Sequence, residues 1–307
     1  MKLALKVDVD TARGTKEGVP QLVDLFLKHD IPATFLFSLG PDNTGRAIKR
    51  IFRRGFLQKV SRTSVLQVYG LRTLGNGILW PGPHIGRKYG ALLRSVAAQG
   101  FEVGIHCYDH IRWQDNLHNM TPPEVLLEFA KAAHAFKDVF GQAATTASAA
   151  GWQASASSLH AYDGANLLYA SDTRGFTPFF PVVNGTRFAT LQIPTTLPTL
   201  DELLGRPEYP LEDLTKTYCQ LLETEKLNVL TIHAELEGMR FFDWFQLLIK
   251  ALKAANVSFV NLGDVARLCL KNPSQIPCHT LSQGSVDGRS GTLAIQGSGI
   301  SAPPLIP

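Results

Sequence analysis

The sequence predicts an α/β protein whose parallel sheet is closed into a barrel. Short apolar, β-rich runs alternate with helical patterns, and this alternation is typical of a parallel sheet. Seven or eight strand–helix units precede residue 271, which favours a barrel over an open sheet. Acidic and histidine side chains stand at the C-terminal ends of several of the strands, where barrels carry their functional residues.

The individual elements are predicted from the periodicity of apolar residues. The predicted strands cover residues 3–10, 33–39, 101–107, 145–149, 167–171, 190–194, 229–233 and 258–262. The predicted helices cover residues 18–29, 89–99, 121–140, 211–225 and 241–255. Polar and charged side chains stand at the predicted strand ends, namely Asp8, Asp10, His106, Ser171, Asp172, His233 and Glu235.

Two segments interrupt this alternation. Residues 43–84 form an insertion between the second and third strands, and residues 272–307 form a tail rich in Gly, Ser and Pro. We predict that the barrel occupies residues 1–271. We expect the tail to be extended or partly disordered, and not an independent domain.

The composition excludes several classes of protein. An apolar content of 45% and a charged content of 18% over 307 residues are typical of a globular chain with a sizeable core. No apolar run is long enough to span a membrane, and Asp8 and Asp10 interrupt the stretch that a signal peptide would need. The four cysteines have no CxxC spacing, which predicts reduced thiols in a cytoplasmic protein.

The first predicted strand ends in the sequence VDVD, at Val7–Asp10. Residues i and i+2 of a strand face the same side, so Asp8 and Asp10 point together if the strand continues to its end. Two neighbouring carboxylates repel each other unless a cation or a shared proton lies between them. An acidic strand end that caps the following loop is the alternative, but the pair favours a functional site.

The stretch GIHCYDH, at Gly104–His110, contains two histidines four residues apart. The pattern predicts His106 at a strand end and His110 in the loop that follows. Together with a carboxylate they would form an open three-ligand metal site with room for water. Asp109 could orient one of the two imidazoles, or it could be solvated, and the sequence favours neither.

A third histidine, His233, ends a late strand in the stretch LTIHAELE. Beside Glu235 and Glu237 it is a candidate general acid. A buried histidine that is hydrogen-bonded to Glu235 is the alternative, and both descriptions can hold at once.

Six motifs stand in the order found in a known family. They are VDVDTARGT (7–15), SLGPDNTGR (38–46), AAGW (149–152), YASDTRG (169–175), IPTTLPTLDE (193–202) and IHAELEG (232–238). With the HxxxH pattern, they make the chain resemble the polysaccharide deacetylase (NodB-homology) family of metal-dependent amide hydrolases. Within the family it is similar to the ArnD-like deformylases, which remove a formyl group from 4-deoxy-4-formamido-L-arabinose carried on undecaprenyl phosphate.

The resemblance implies a distorted (β/α)7 barrel and a role for each residue of the site. Asp8 would be the general base, and His233 would protonate the leaving amine. Asp10, His106 and His110 would hold a divalent metal ion such as zinc, cobalt or manganese. The function implied is deformylation in lipid A modification, at the inner face of the bacterial inner membrane. The alternatives are an N-deacetylase of another amino sugar and a non-catalytic sugar-lipid binding protein.

One motif departs from the family pattern. Many members have an Arg-x-Pro motif that orients the catalytic aspartate, whereas residues 147–152 read ASAAGW and end in Trp152. We therefore hypothesise that Arg174 positions Asp8. The alternative is that Arg174 forms a salt bridge to Asp172, and the two can coexist.

The insertion is strongly basic. No acidic residue stands between Asp42 and Glu102, and residues 45–61 place apolar side chains at helical spacing among arginines and lysines. Such a helix suits an anionic membrane surface, whereas no accompanying pattern supports nucleic-acid binding. An ordinary helix with a solvated basic face is an equal alternative. Residues 77–80 would add a second membrane contact, and the candidate phosphate ligands are Arg46, Arg50, Arg53 and Arg54.

Overall fold

The computed structural model describes residues 1–47 and 73–301. The strands are β1 (Lys2–Val9), β2 (Ala33–Ser38), β3 (Glu102–Cys107), β4 (Thr146–Ala147), β5 (Tyr169–Ala170), β6 (Phe180–Val183), β7 (Thr186–Arg187), β8 (Leu191–Gln192), β9 (Leu227–His233), β10 (Ser258–Val260), β11 (Cys278–Gly284) and β12 (Leu293–Ile300). The helices are α1 (Val19–His29), α2 (Ile85–Ala98), α3 (His110–Asn116), α4 (Pro122–Phe140), α5 (Ala156–Gly164), α6 (Leu200–Leu203), α7 (Leu214–Leu221), α8 (Phe242–Ala254) and α9 (Leu262–Cys269).

The main sheet is parallel at every pairing and curls into a distorted barrel. Its strands run in the order β10-β1-β2-β3-β4-β5-β8, and β9 also pairs with β1. Beyond β8, the backbone amides of Thr196 and Leu197 both donate to the Val229 carbonyl of β9, which links the two ends of the sheet. The predicted α/β barrel is therefore confirmed. All carboxyl ends of its strands open on one face, which is where the polar residues lie.

The core explains why these segments become strands and helices. β1 beyond its first residue and all of β2 are buried, as expected for parallel strands that helices cover on one side and the barrel fills on the other. Phe35 of β2 packs edge-on against Phe101 and Phe26, with the ring of Phe26 in turn against Phe245 of α8. This aromatic cluster fixes the outer helices on the strands that carry the site.

The structure departs from the sequence prediction at His110. The prediction of a loop there is wrong, because His110 is the first residue of α3. Asp109 is the N-cap, and its side chain accepts a hydrogen bond from the Arg112 amide at 3.0 Å. The cap fixes the direction in which His110 leaves the end of β3.

A second sheet was not predicted. It has the order β12-β11-β6-β7 and includes two strands from the tail for which we predicted extended or partly disordered chain. β11 pairs in parallel with β6, which lies far earlier in the sequence, so no local pattern indicates the pairing. The tail also contacts the barrel through Thr292, whose carbonyl accepts from Gln153 Nε2 at 2.7 Å.

Gly104 of β3 provides a test of how closely the strands beneath the site are packed. A Cβ added there would lie 2.5 Å from Thr146 Cγ2 and 2.7 Å from Leu36 Cδ2. We expect Gly104→Ala to lower the free energy of unfolding by about 2 kcal/mol, since the neighbouring strands cannot move apart freely. Gly164→Ala is the control, because a Cβ there meets nothing within 4 Å. Equal free energies of unfolding for the two variants, measured in urea, would contradict the expectation.

Candidate metal and catalytic site

The site forms where β9, β1 and β3 end, with β2 between β1 and β3 in the sheet. In the register of the sheet, Asp8 of β1 lies beside His233 of β9, and β3 ends one residue after His106. Asp10 follows β1 directly, and His110 begins α3. The two aspartates and three histidines that the sequence identified therefore lie around one mouth of the barrel.

Asp10, His106 and His110 form a compact three-residue cluster. Their potential ligand atoms all lie within 4.8 Å of one another. Asp10 Oδ1 is 3.2 Å from His106 Nε2, and Asp10 Oδ2 is 3.4 Å from His110 Nε2. The two imidazoles lower the pKa of Asp10 despite its burial, so its carboxylate is held ionised.

The chemistry of this cluster fits a divalent metal ion. Two imidazole nitrogens and one carboxylate are a common donor set for zinc and similar ions, and three ligands leave positions for water or substrate. Asp10 Oδ1 is buried and lacks a hydrogen-bond partner among the described residues. A buried carboxylate oxygen without a partner is costly, and a cation bound beside it would lower that cost.

Asp8 lies beside this cluster and has two different neighbours. Its Oδ1 is 3.7 Å from His106 Nδ1, and its Oδ2 is 3.4 Å from the ammonium of Lys6. Burial lowers the pKa of His106, but Asp8 and Asp10 outweigh it and the net shift is upward. Lys6 was not recognised in the sequence. The alternation of side-chain direction along the strand could have identified it, because residues 6, 8 and 10 share one face.

His233 has a carboxylate neighbour other than the one we expected. Its backbone amide donates to Glu237 Oε2 at 2.9 Å, whereas Glu235 is directed elsewhere. The His233 ring lies 6.4 Å from the ring of Trp152, edge to face. Trp152 is buried, has the left-handed φ of +54° that is rare for a bulky residue, and donates from Nε1 to Thr195 Oγ1 at 3.1 Å. The Trp152 ring is therefore a fixed wall beside His233.

Glu235 organises the loop that carries Asp10. Its Oε1 accepts from the Thr11 amide and hydroxyl, both at 2.8 Å, and from the Asp10 amide at 3.2 Å. Burial, followed by the nearby Asp10 carboxylate, raises the pKa of Glu235 to about 8. The residue therefore supports the position of Asp10 through the backbone.

Arg174 does not take either role considered for it. Its guanidinium donates to both carboxylate oxygens of Glu202, at 2.6 and 2.9 Å, and neither Asp8 nor Asp172 is its ion-pair partner among the described residues. Asp172 instead accepts from the Ala149 amide. Burial raises the pKa of Asp172 to about 6, although Lys6 opposes the shift. Glu202 was not identified from the sequence, although it closes the IPTTLPTLDE motif.

Asp109 and Arg46 lie together at the edge of the site. Both oxygens of Asp109 are engaged, one with the Arg112 amide and the other with Asn43 Nδ2 at 2.6 Å. Asp109 therefore holds the backbone ahead of His110, and is neither solvated nor bonded to an imidazole within the described residues. Arg46 Nη1 lies 4.0 Å from Asp109 Oδ2, and the Arg46 side chain is 52% exposed. The other candidate phosphate ligands, Arg50, Arg53 and Arg54, lie outside the described residues, as does most of the basic segment 45–61.

A curled parallel barrel whose strand ends gather two aspartates and three histidines has the groups that a metal-dependent hydrolase needs. The chain belongs to the polysaccharide deacetylase family, whose family model matches residues 3–167. It is similar to two proteins named as probable 4-deoxy-4-formamido-L-arabinose-phosphoundecaprenol deformylases. The one from Shewanella sediminis is 37% identical over 98% of this chain and 96% of its own length. The one from Wigglesworthia glossinidia brevipalpis is 31% identical over 92% of this chain and 98% of its own length.

The fold is also similar to that of a solved structure. The crystal structure of a Mycobacterium smegmatis protein assigned to the polysaccharide deacetylases has a TM-score of 0.63 with this chain, at 15% identity, and the match covers 93% of this chain and 94% of the other. The expected NodB-type barrel and family are thus confirmed.

Glu237 predicts a measurable pH dependence of stability. Burial raises its pKa to about 7, from 4.5 in the unfolded chain, although His233 opposes the shift. Because the folded pKa is the higher one, this group stabilises the fold below pH 4.5, and that contribution is lost as the pH rises to about 7. Glu237→Gln removes the effect. The free energy of unfolding of the variant, relative to that of wild type, should therefore rise by on the order of 3 kcal/mol between about pH 4 and about pH 8. Urea unfolding of both proteins at the two pH values measures this difference in free energy. A difference that is the same at both pH values would contradict the assignment.

Proposed function

We propose that this chain is a metal-dependent N-deformylase that acts on 4-deoxy-4-formamido-L-arabinose linked to undecaprenyl phosphate. The observation that carries the proposal is the convergence of Asp10, His106 and His110 within 4.8 Å, with Asp8 alongside. The two relatives that match nearly the whole chain are named for this substrate, which supports the choice of sugar and acyl group. A divalent ion in this cluster would polarise the formyl carbonyl and lower the pKa of a water molecule.

The residues of the chain supply the remaining chemistry. Asp8 Oδ1 has no hydrogen-bond partner among the described residues, so it is available to accept a proton from the attacking water. His233 lies on the adjacent strand and would donate a proton to the departing sugar nitrogen. The wall formed by Trp152 limits the directions from which a sugar can approach His233. The products are formate and a sugar that carries a free amine.

Product analysis by mass spectrometry tests the reaction. Purified protein, a divalent metal and the polyprenyl-phosphate formamido-arabinose in detergent should give a product that is lighter by one CO. The matched reaction is the N-acetyl analogue of the same sugar. Turnover of the acetyl compound alone would replace the deformylase with a deacetylase. Metal binding without turnover of either compound would favour a sugar-lipid binding protein.

We also propose that the edge of the site docks on an anionic membrane, as a lipid-linked substrate requires. No helix among the described residues has the length and apolarity needed to cross a bilayer. Three consecutive apolar side chains, Ile78, Leu79 and Trp80, are 50%, 73% and 42% exposed. Together with Arg46 they line a surface cavity of about 480 Å³. Clustered exposed apolar residues beside a cation suit the interface between lipid headgroups and acyl chains.

Leu79→Asp tests this docking surface. The substitution should lower the affinity for vesicles that contain phosphatidylglycerol by about tenfold or more, because an apolar side chain worth roughly 2 kcal/mol on burial becomes charged. Leu127→Asp is the control, since Leu127 is 56% exposed on α4. Vesicle flotation measures both variants, and equal binding would overturn the assignment of this surface.

A further inference from the structure

Lys6 is a buried lysine on the inner face of β1. It is 0% exposed and stands two residues before Asp8, so both side chains point to the same side of the strand. A lysine is almost never fully buried unless it is paired, because removing an ammonium from water is costly. Its location beneath the site therefore requires an explanation.

The Lys6 ammonium has a partner for each of its three N–H groups. It donates to Ser148 Oγ at 2.7 Å and to the Ser171 carbonyl at 2.9 Å, and it lies 3.4 Å from Asp8 Oδ2. Ser148 follows β4, and Ser171 follows β5. Three elements thus hold the ammonium in one place, and its third donor is directed at the carboxylate of Asp8.

We propose that Lys6 is the positioning residue for Asp8. The ion pair engages Oδ2, so the other oxygen, Oδ1, is turned towards His106 and the metal-ligand cluster. Oδ1 is the oxygen that must accept the proton from water. This inference rests on the proposed function, in which Asp8 is the general base.

The surrounding charges support a fixed orientation. Burial lowers the pKa of Lys6 below its usual value, although Asp8 and Asp172 both oppose the shift. The ammonium also lies 5.3 Å from the centroid of the Trp152 ring, at a distance typical of a cation–π contact. The lysine is therefore enclosed by two carboxylates and an aromatic face, and any rotation of it would leave buried charges without partners.

The other cations near Trp152 are engaged elsewhere. Arg174 Nη1 donates to both carboxylate oxygens of Glu202. Arg289 lies over the Trp152 ring at 4.4 Å, with Glu202 as its ion-pair partner at 3.9 Å. Among the described residues, Lys6 is the lysine or arginine that forms an ion pair with Asp8.

Lys6→Met is the direct test, since methionine keeps the apolar stem and removes the charge and donors. We expect kcat on the formamido sugar to fall about 100-fold, as for a misplaced catalytic group, while KM and the Kd for Zn²⁺ change by less than about threefold. Lys2→Met is the matched control, because Lys2 lies on the same face of β1 but is exposed. It should retain wild-type kcat.

Two further results decide the interpretation. Ser148→Ala removes one anchor of the ammonium with little loss of volume, and should lower kcat by about tenfold with unchanged Zn²⁺ affinity, even if Lys6→Met does not fold. Unchanged kcat in either folded variant would overturn the positioning role while leaving the deformylase intact. A parallel loss of Zn²⁺ affinity would also overturn it, since Lys6 would then act on the metal site. Absence of turnover in wild type would instead refute the proposed function.

Discussion

Asp8→Asn should lower kcat on the formamido sugar by about 10³-fold, while the protein still binds a divalent metal. The amide is nearly the same size as the carboxylate, so the packing around Lys6 and His106 should be preserved. The asparagine amide cannot accept a proton from water at neutral pH. The substitution therefore removes the base and leaves the three proposed ligands unchanged. Steady-state kinetics and a Zn²⁺ titration on the same preparation measure the two properties separately.

Asp24→Asn is the control for this experiment. Asp24 is exposed on α1, away from the strand ends, and its replacement should leave kcat and Zn²⁺ affinity unchanged. If Asp8→Asn retained activity, Asp8 would not be the base. If it lost Zn²⁺ in proportion to activity, Asp8 would belong with Asp10 among the ligands.

The parts of the site that the sequence predicted depend on local rules. Asp8 and Asp10 follow an apolar run whose alternation fixes the direction of each side chain, and parallel strands bring their carboxyl ends together. His106 and His233 also end such runs. Because these positions follow from strand periodicity and sheet direction, four residues from three segments that are distant in sequence could be placed at one mouth of the barrel.

The parts that were missed depend on long-range contacts. Arg174 pairs with Glu202, 28 residues away. The segment after β8 runs parallel to the segment after β5, with Thr195 bridged to Arg174. The second sheet joins the tail to β6, and periodicity carries no information on that pairing. The helix that begins at His110 could have been found, since Asp109 precedes it as an N-cap.

Lys6 was missed for a different reason. The alternation that pairs Asp8 with Asp10 also places Lys6 on their face, although a single lysine in an apolar strand matches no metal or catalytic motif. A lysine in a strand whose other positions are buried indicates a buried partner. In a parallel barrel that partner is expected at the next strand-end position on the same face, which is Asp8.

His110→Ala should weaken Zn²⁺ binding by at least about 100-fold and lower activity with it, because the imidazole supplies one of only three proposed ligands. Excess Zn²⁺ should restore part of the lost activity, whereas it should restore none in Asp8→Asn. A competition titration against a chelator gives Kd without any substrate. His134→Ala is the control, since His134 is 78% exposed on α4 and pairs with Asp138. Wild-type Zn²⁺ affinity in His110→Ala would show that the ion is held by other residues, and the three-ligand assignment would fail.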